Sequence, residues 1–249
     1  SDYPNVLLAH GGGGKLMQKK KEKMFSSAFN NELLAQNHDS TMLNINSKKI
    51  AFTTDSYVVQ PIFFSGGDIG SLAINGTVND LAMSGAVPKY ISLGLIIEEG
   101  FGMEDLWRVV QSLSESAIAA GVQVVTGDTK VVDKGKGDGI FINTSGIGTV
   151  DHSLNISPKN IQIGDVIIIN GDIGRHGIAI MAEREGLEFE HKIVSDCAPL
   201  NELVKNIIDA GIDVHCLRDL TRGGLSSTLN ELSVSSGSEM LIDELLVSV

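Results

Sequence analysis

Apolar positions along the chain fall into two periods, and their alternation outlines the architecture. From Met103 to Ala120 they recur with the helical repeat: Leu106, Val109, Val110, Leu113 and Ala117 share a face. Glu104 and Asp105 suit the first turn of that helix, and Gly121 can end it. Asp68 is a fitting N-cap for a second helix running to about Ser84, with Gly85 as its stop. Period-two stretches rich in Val, Ile, Thr and Tyr predict strands instead. Ile50 to Gln60 reads as a strand interrupted or ended near Asp55, and residues 90–98 and Ile140 to Thr149 read as further strands. Val122 to Val125 predicts a short strand entering a loop at Thr126-Gly127-Asp128-Thr129-Lys130. Near the start, Val6 to Ala9 is a short strand candidate, and residues 16–40 read as a polar helix and a loose connection. The lysines at 19, 20, 21 and 23 then form a solvated helix face.

Asp151 to Gly164 is polar and contains Pro158, which marks a boundary between a first domain, 1–151, and a second, 152–249. The second restarts with a strand at Val166–Asn170, a glycine loop at 171–177 and a helix from Ile178. Another helix spans about Pro199 to Ala210, and a strand at Asp213–Leu217 leads into Arg218-Asp219-Leu220-Thr221-Arg222-Gly223-Gly224 and a last helix. Strands alternating with helices indicate an α/β or α+β fold, whose second half reads as unfinished at Val249. A length of 249 residues suits two modest cores. The net charge of −12 argues against a nucleic-acid partner, since nothing offsets phosphate repulsion. No apolar run reaches membrane-spanning length, and Ser1-Asp2-Tyr3-Pro4 lacks a basic region and an apolar signal core; both indicate a cytoplasmic protein. Cys197 and Cys216, in strand and helix contexts, fit a reducing compartment and form no metal-ligand pair.

Chemistry enters through glycines and aspartates. The 28 glycines cluster in short loops where backbone must approach a ligand. Gly11, Gly12, Gly13 and Gly14, followed by Lys15, offer bare amides and a positive side chain, the parts of a phosphate cradle; a mobile linker is the competing reading. The spacing is neither that of a Walker A loop nor that of a Rossmann fingerprint. Asp55 interrupts good β sequence, and Asp80 falls on the helical stripe Ile69, Ala73, Gly76, Asp80, Met83 that faces the core. Burying an unpaired carboxylate is costly, which favours a metal or a strong hydrogen-bond partner. Asp128 and Asp219 each follow a β-run beside glycines. Each alone reads as a cap or turn residue; the four together point to a shared Mg–nucleotide site, with Lys130 and Arg222 supplying opposite charge. His10 and His176 either line that site or are structural.

These motifs, His10 to Lys15, Phe52 to Val59, Asn79 to Ala86, Gly127 to Val132 and Arg218 to Leu225, resemble the HypE family of hydrogenase maturation proteins in order and spacing. That family belongs to the PurM (AIR synthetase-like) superfamily, and the similarity spans essentially all of the chain. The resemblance implies a PurM-like two-domain fold and a homodimer in which N-terminal half-barrel sheets pair, with ATP in the cleft. It implies nucleotide binding at Gly11 to Lys15, Asp55, Asp80, Asp128, Thr129 and Lys130, and Mg²⁺ at Asp55, Asp80, Asp128 and Asp219. In the family, HypF carbamoylates a C-terminal cysteine, and HypE uses ATP to dehydrate the resulting carboxamide to a thiocyanate. The cyano group then passes through the HypC–HypD complex to the iron of [NiFe]-hydrogenase. Members continue past the position of Val249 to a flexible tail bearing the acceptor cysteine, so the second domain is read as incomplete and the chain as inactive on itself. Lys130 and Arg222 remain the candidate catalytic side chains. Two rivals are a selenophosphate synthetase-like phosphotransferase and a non-catalytic nucleotide-binding scaffold for hydrogenase assembly. The first is disfavoured because its reactive Cys or Sec adjoins the N-terminal glycine loop, and no cysteine precedes Cys197.

Overall fold

A computed structural model describes Lys15 and residues 41–45, 48–187 and 189–248. The glycine loop Gly11–Gly14, His10 and the helix read over residues 16–40 lie outside the described residues.

A five-stranded sheet organises the first half. Its strands are β1 (Thr41–Ile45), β2 (Lys48–Tyr57), β5 (Val87–Glu98), β6 (Gln123–Val132) and β7 (Ile140–Val150), in spatial order β1-β2-β7-β5-β6. All neighbours are antiparallel except β5 and β6, which run parallel. A parallel pair needs a long crossover, and helix α2 (Met103–Ala119) supplies it. A two-stranded ribbon, β3 (Phe63–Phe64) with β4 (Gly67–Asp68), leads into α1 (Ile69–Met83). As its sequence predicts, Asp68 caps α1, accepting from the amides of Gly70 at 2.7 Å and Ser71 at 3.0 Å.

Both helices cover one face of the sheet. Ile69, Ala73, Ile74 and Val78 of α1 and Val109, Leu113 and Ala117 of α2 enter one core with Ile91, Ile140 and Ile142. Each large aliphatic side chain buried there contributes about 1.5–3 kcal/mol. Two glycines make the close approach of α1 geometrically feasible. A Cβ at Gly146 of β7 would stand 2.7 Å from the Thr77 methyl, and one at Gly76 would stand 2.4 Å from the Tyr57 hydroxyl.

Four strand readings are corrected. The strand from Ile50 continues through Asp55 to Tyr57, because β7 pairs with it along that whole stretch, with Asp55 opposite Thr144. Thr126 to Lys130 is not a loop; β6 carries it onward, held in parallel register by β5. Val166–Asn170 and Asp213–Leu217 are irregular, and no strand follows Val150 among the described residues. Apolar β-formers make a strand only where another strand completes the hydrogen-bond ladder. Here Val166 is 82% and Ile168 85% exposed. The helices of the second half are α3 (Arg175–Glu185), α4 (Asn201–Asp209) and α5 (Gly224–Ser236). Cys197 and Cys216 also lie in irregular segments rather than in strand and helix.

The second half is fastened to α1. Ala82 and Met83 form a small core with Val204 of α4, flanked by Leu200, Ile208 and Leu217. Asn79 bridges the two halves: its Nδ2 donates to the Ala198 carbonyl at 3.0 Å, and its Oδ1 accepts the Leu200 amide at 2.7 Å.

Candidate functional site

Three of the four predicted aspartates come from three separate elements; Asp55 and Asp80 both act on Tyr57, and Asp55 also acts on Asp219. Asp55 comes from β2, Asp80 from α1, and Asp219 from the loop preceding α5. Alternation along β2 puts Thr53, Asp55 and Tyr57 on the face that α1 covers. Asp80 is half-buried there, and its Oδ2 accepts the Thr53 hydroxyl at 2.8 Å. Asp55 Oδ1 accepts the Ser56 amide at 2.7 Å.

The electrostatics record how near these groups lie. Burial pushes the Tyr57 hydroxyl far above the ordinary phenol range, and the charges of Asp55 and then Asp80 add to it, against a hydrogen bond with Thr77 that acts the other way. The phenol therefore stays protonated, sharing that hydrogen bond with Thr77 Oγ1 at 3.1 Å. Burial likewise raises the Asp219 carboxyl above its usual value; Arg218 opposes the rise and Asp55 reinforces it. Arg218 is itself fixed by Glu231 of α5 at 3.0 Å. The cation next to these carboxylates is thus Arg218, whereas Arg222 is exposed.

Asp128 is not gathered with them. The row through Asp55 passes Thr144 and Leu93 and reaches Gly127, so Asp128 stands on the opposite face, in the row of Gly94, Asn143 and Ser56. Three strand spacings of about 4.8 Å place it roughly 14 Å from β2. Lys130 shares that outer face by alternation, and Thr129 takes the inner one. Lys15 is helical and exposed. Among the described residues no group of three or more His, Cys, Asp or Glu side chains is arranged to hold a metal ion by itself. Magnesium does not require one, since it is commonly held by one or two carboxylates together with phosphate oxygens. Asp219, raised first by burial and further by the charge of Asp55, suits a cation in that role.

His176 is placed by the fold rather than by any motif. Its Nδ1 shares a hydrogen bond with Ser195 Oγ at 2.9 Å, its ring meets Phe64 edge-on at 5.3 Å, and burial lowers its pKa against the nearby Asp196. Burial raises the Cys197 thiol, which also accepts Asn75 Nδ2 at 3.5 Å, so this cysteine is not an activated thiolate. Thr53 and Tyr57 are site residues that motif reading missed, although their alternation with Asp55 was available to reveal them.

Residues 37–150 match the AIR synthase related protein N-terminal domain, and 162–249 match the corresponding C-terminal domain. The carbamoyl dehydratase HypE of Azotobacter vinelandii is 48% identical over 245 residues, covering 98% of this chain and 72% of that protein. A crystal structure of a HypE–HypF complex superposes with a TM-score of 0.84 at 49% identity, over 88% of this chain and 70% of that one. HypE in complex with ATP superposes at 0.75 and 46% identity, over 93% and 69%. The chain belongs to the carbamoyl dehydratase HypE family of AIR synthase related proteins. No described helix is long and apolar enough to cross a membrane.

Proposed function

We propose that this chain binds Mg–ATP over Asp55, Asp80 and Asp219 and uses it to dehydrate a carbamoylated C-terminal cysteine to an S-cyanate, the source of cyanide ligands for [NiFe]-hydrogenase iron. The observation that carries this reading is that Asp55 of β2 is linked electrostatically to Asp219 of the α5 loop and shares Tyr57 with Asp80 of α1, in a chain whose relatives are carbamoyl dehydratases and include a HypE bound to ATP. A carboxamide oxygen leaves only once it carries phosphate, so the protein's task is positioning and charge neutralisation. Thr53 orients Asp80, Asp55 is set by its place in β2, and Arg218 partly offsets the charge of Asp219. Magnesium, when held there, would neutralise phosphate charge. Gly11 to Lys15 are assigned to the phosphates, and Thr129 to the nucleotide.

Asp128 and Lys130 lie on the outer face and fit this scheme through a homodimer. Phe52, Ile147 and Tyr90 form one row across β2, β7 and β5 on that face and are 40%, 39% and 47% exposed. A second copy paired through this face covers them and brings Asp128 and Lys130 to the interface. We place the joint between an ATP-binding and dimerising domain, 1–151, and a second domain, 152–249, inside the gap between the two family matches. HypF is proposed as the carbamoyl donor, a HypC–HypD complex as the recipient, and the cytoplasm as the compartment; a HypE–HypF complex of a relative supports the first.

Calorimetry on Asp80→Asn tests the site. Losing one charged ligand should weaken Mg–ATP binding by roughly 1.5–3 kcal/mol. Unchanged affinity in a folded variant removes Asp80 from the site.

A further inference from the structure

Thr53, Asp55 and Tyr57 alternate onto the inner face of β2. Thr53 already serves a carboxylate, donating to Asp80 Oδ2 at 2.8 Å. Asp55 is half-buried, and its Oδ1 accepts the Ser56 amide at 2.7 Å. Tyr57 is buried more deeply, 7% exposed, within the main apolar core. Its hydroxyl lies within hydrogen-bonding reach of the Asp55 carboxylate as well as of Thr77.

Packing does not account for that hydroxyl. Phenylalanine fills a core as well and brings no polar atom to bury. The hydroxyl also needs a gap in α1, since a Cβ at Gly76 would stand 2.4 Å from it. Glycine weakens a helix interior, so α1 gives up stability to admit one oxygen.

A line of hydroxyls leads to it. Thr77 Oγ1 shares a hydrogen bond with Tyr57 at 3.1 Å and a shorter one with Thr144 of β7. The Ala73 carbonyl, 3.1 Å away, competes for the Thr77 proton, but as a helical carbonyl it already accepts an amide. Thr144 is fixed through its own carbonyl, which accepts the Thr54 hydroxyl at 2.7 Å. Each hydroxyl has one proton to give. An ionised carboxylate is a stronger acceptor than a neutral oxygen, so the protons line up toward Asp55. Thr144 donates to Thr77, Thr77 to Tyr57, and Tyr57 to the carboxylate.

We propose that Tyr57 is a positioning residue for Asp55, its phenol holding that carboxylate in the orientation a divalent cation requires. Thr53 is its counterpart for Asp80. The inference rests on the Mg–ATP site proposed above. Carboxylates that bind a metal are ordinarily held by such a hydrogen-bond partner from behind.

The test is calorimetry with a non-hydrolysable ATP analogue, in excess Mg²⁺ and again in EDTA, on wild type, Tyr57→Phe and Thr77→Val. Their ratio is the affinity that the metal adds. Tyr57→Phe should lower that ratio about tenfold, the scale of losing a partner behind a metal ligand, and leave the affinity in EDTA unchanged. Thr77→Val keeps the phenol but removes its donor, and should lower the ratio by less. A role in packing alone would weaken binding equally with and without metal. That result, or a wild-type ratio in Tyr57→Phe, would overturn the proposal. If Tyr57→Phe does not fold, Thr77→Val decides alone: a lowered ratio supports the proposal, and a wild-type ratio overturns it. A wild type that binds the analogue equally well in EDTA refutes the metal site itself, and the positioning role falls with it.

Discussion

Thr53 on β2 donates its hydroxyl to Asp80 Oδ2 on α1 at 2.8 Å, across the junction of sheet and helix. The next residue back, Asn79, holds the second half of the chain through Ala198 and Leu200. One turn of α1 therefore does two jobs. It aims a carboxylate toward β2 and fastens the part of the chain that delivers Asp219.

Replacing Thr53 by Val keeps the shape and removes the donor. Thr53 is buried, so the change should cost about 1.5 kcal/mol of stability. Mg–ATP affinity should fall with it, because Asp80 loses its orientation. Urea unfolding and calorimetry on the same preparation check both; a stability loss with unchanged affinity would separate Thr53 from the site.

Gly76 carries a second prediction. Alanine there should gain about 1 kcal/mol of helix propensity, yet its Cβ would sit 2.4 Å from the Tyr57 hydroxyl. Overpacking costs about 1–3 kcal/mol, so Gly76→Ala is expected to destabilise. Tyr57→Phe removes the clashing oxygen, and the double variant should be more stable than the sum of the two single changes implies. Simple additivity in denaturant titrations would show that the crowding lies elsewhere.

His176 gives a pH dependence whose sign follows from burial. Its folded pKa is depressed, so as pH falls the unfolded chain takes up the proton first, and stability then falls with pH. The contribution is present above the ordinary histidine pKa of about 6.5 and is lost as pH drops through and below it. His176→Gln should therefore lose less stability than wild type between pH 7.5 and 5.5. Asp196 opposes the shift, and His215, raised chiefly by Asp165, titrates in the other direction in both proteins. Identical acid-side slopes for variant and wild type would contradict the assignment.

The outer face of the sheet predicts assembly. Ile147→Asp places a charge in the middle of the Phe52–Ile147–Tyr90 row and should convert a dimer into a monomer by light scattering at micromolar concentration. A monomeric wild type would remove the dimer from the account.

How far the sequence carried this picture depended on the range of the interaction. Asp68 and the Leu106–Ala117 stripe are local signals, and both helices appear where those signals place them. Asp55 and Asp80 stood out because a charge in an apolar pattern needs a partner, and the fold sets both beside Tyr57. The continuation of β6 through Gly127-Asp128 was not legible, because residues that read as a turn were held extended by the parallel partner β5. The face on which Asp128 lies depends on a register shift near Ile91, which no local pattern encodes. Val166–Asn170 reads as a strand by composition, yet composition cannot supply a neighbour to pair with. The joining of His176 to Ser195 and of Arg184 to the Gln60 carbonyl likewise depends on how the second half folds back against the first.

The most direct test of the account is turnover. The chain is incubated with Mg–ATP and a synthetic peptide ending in S-carbamoyl-cysteine, and the products are read by mass spectrometry alongside nucleotide hydrolysis. The account predicts that the peptide loses one water to become the S-cyanate, with ATP consumed in step. Asp80→Asn should slow the conversion, and Cys197 and Cys216 should stay unmodified. A peptide that remains a carboxamide while the chain binds and hydrolyses ATP, or a thiocyanate appearing on Cys197 or Cys216, would contradict it.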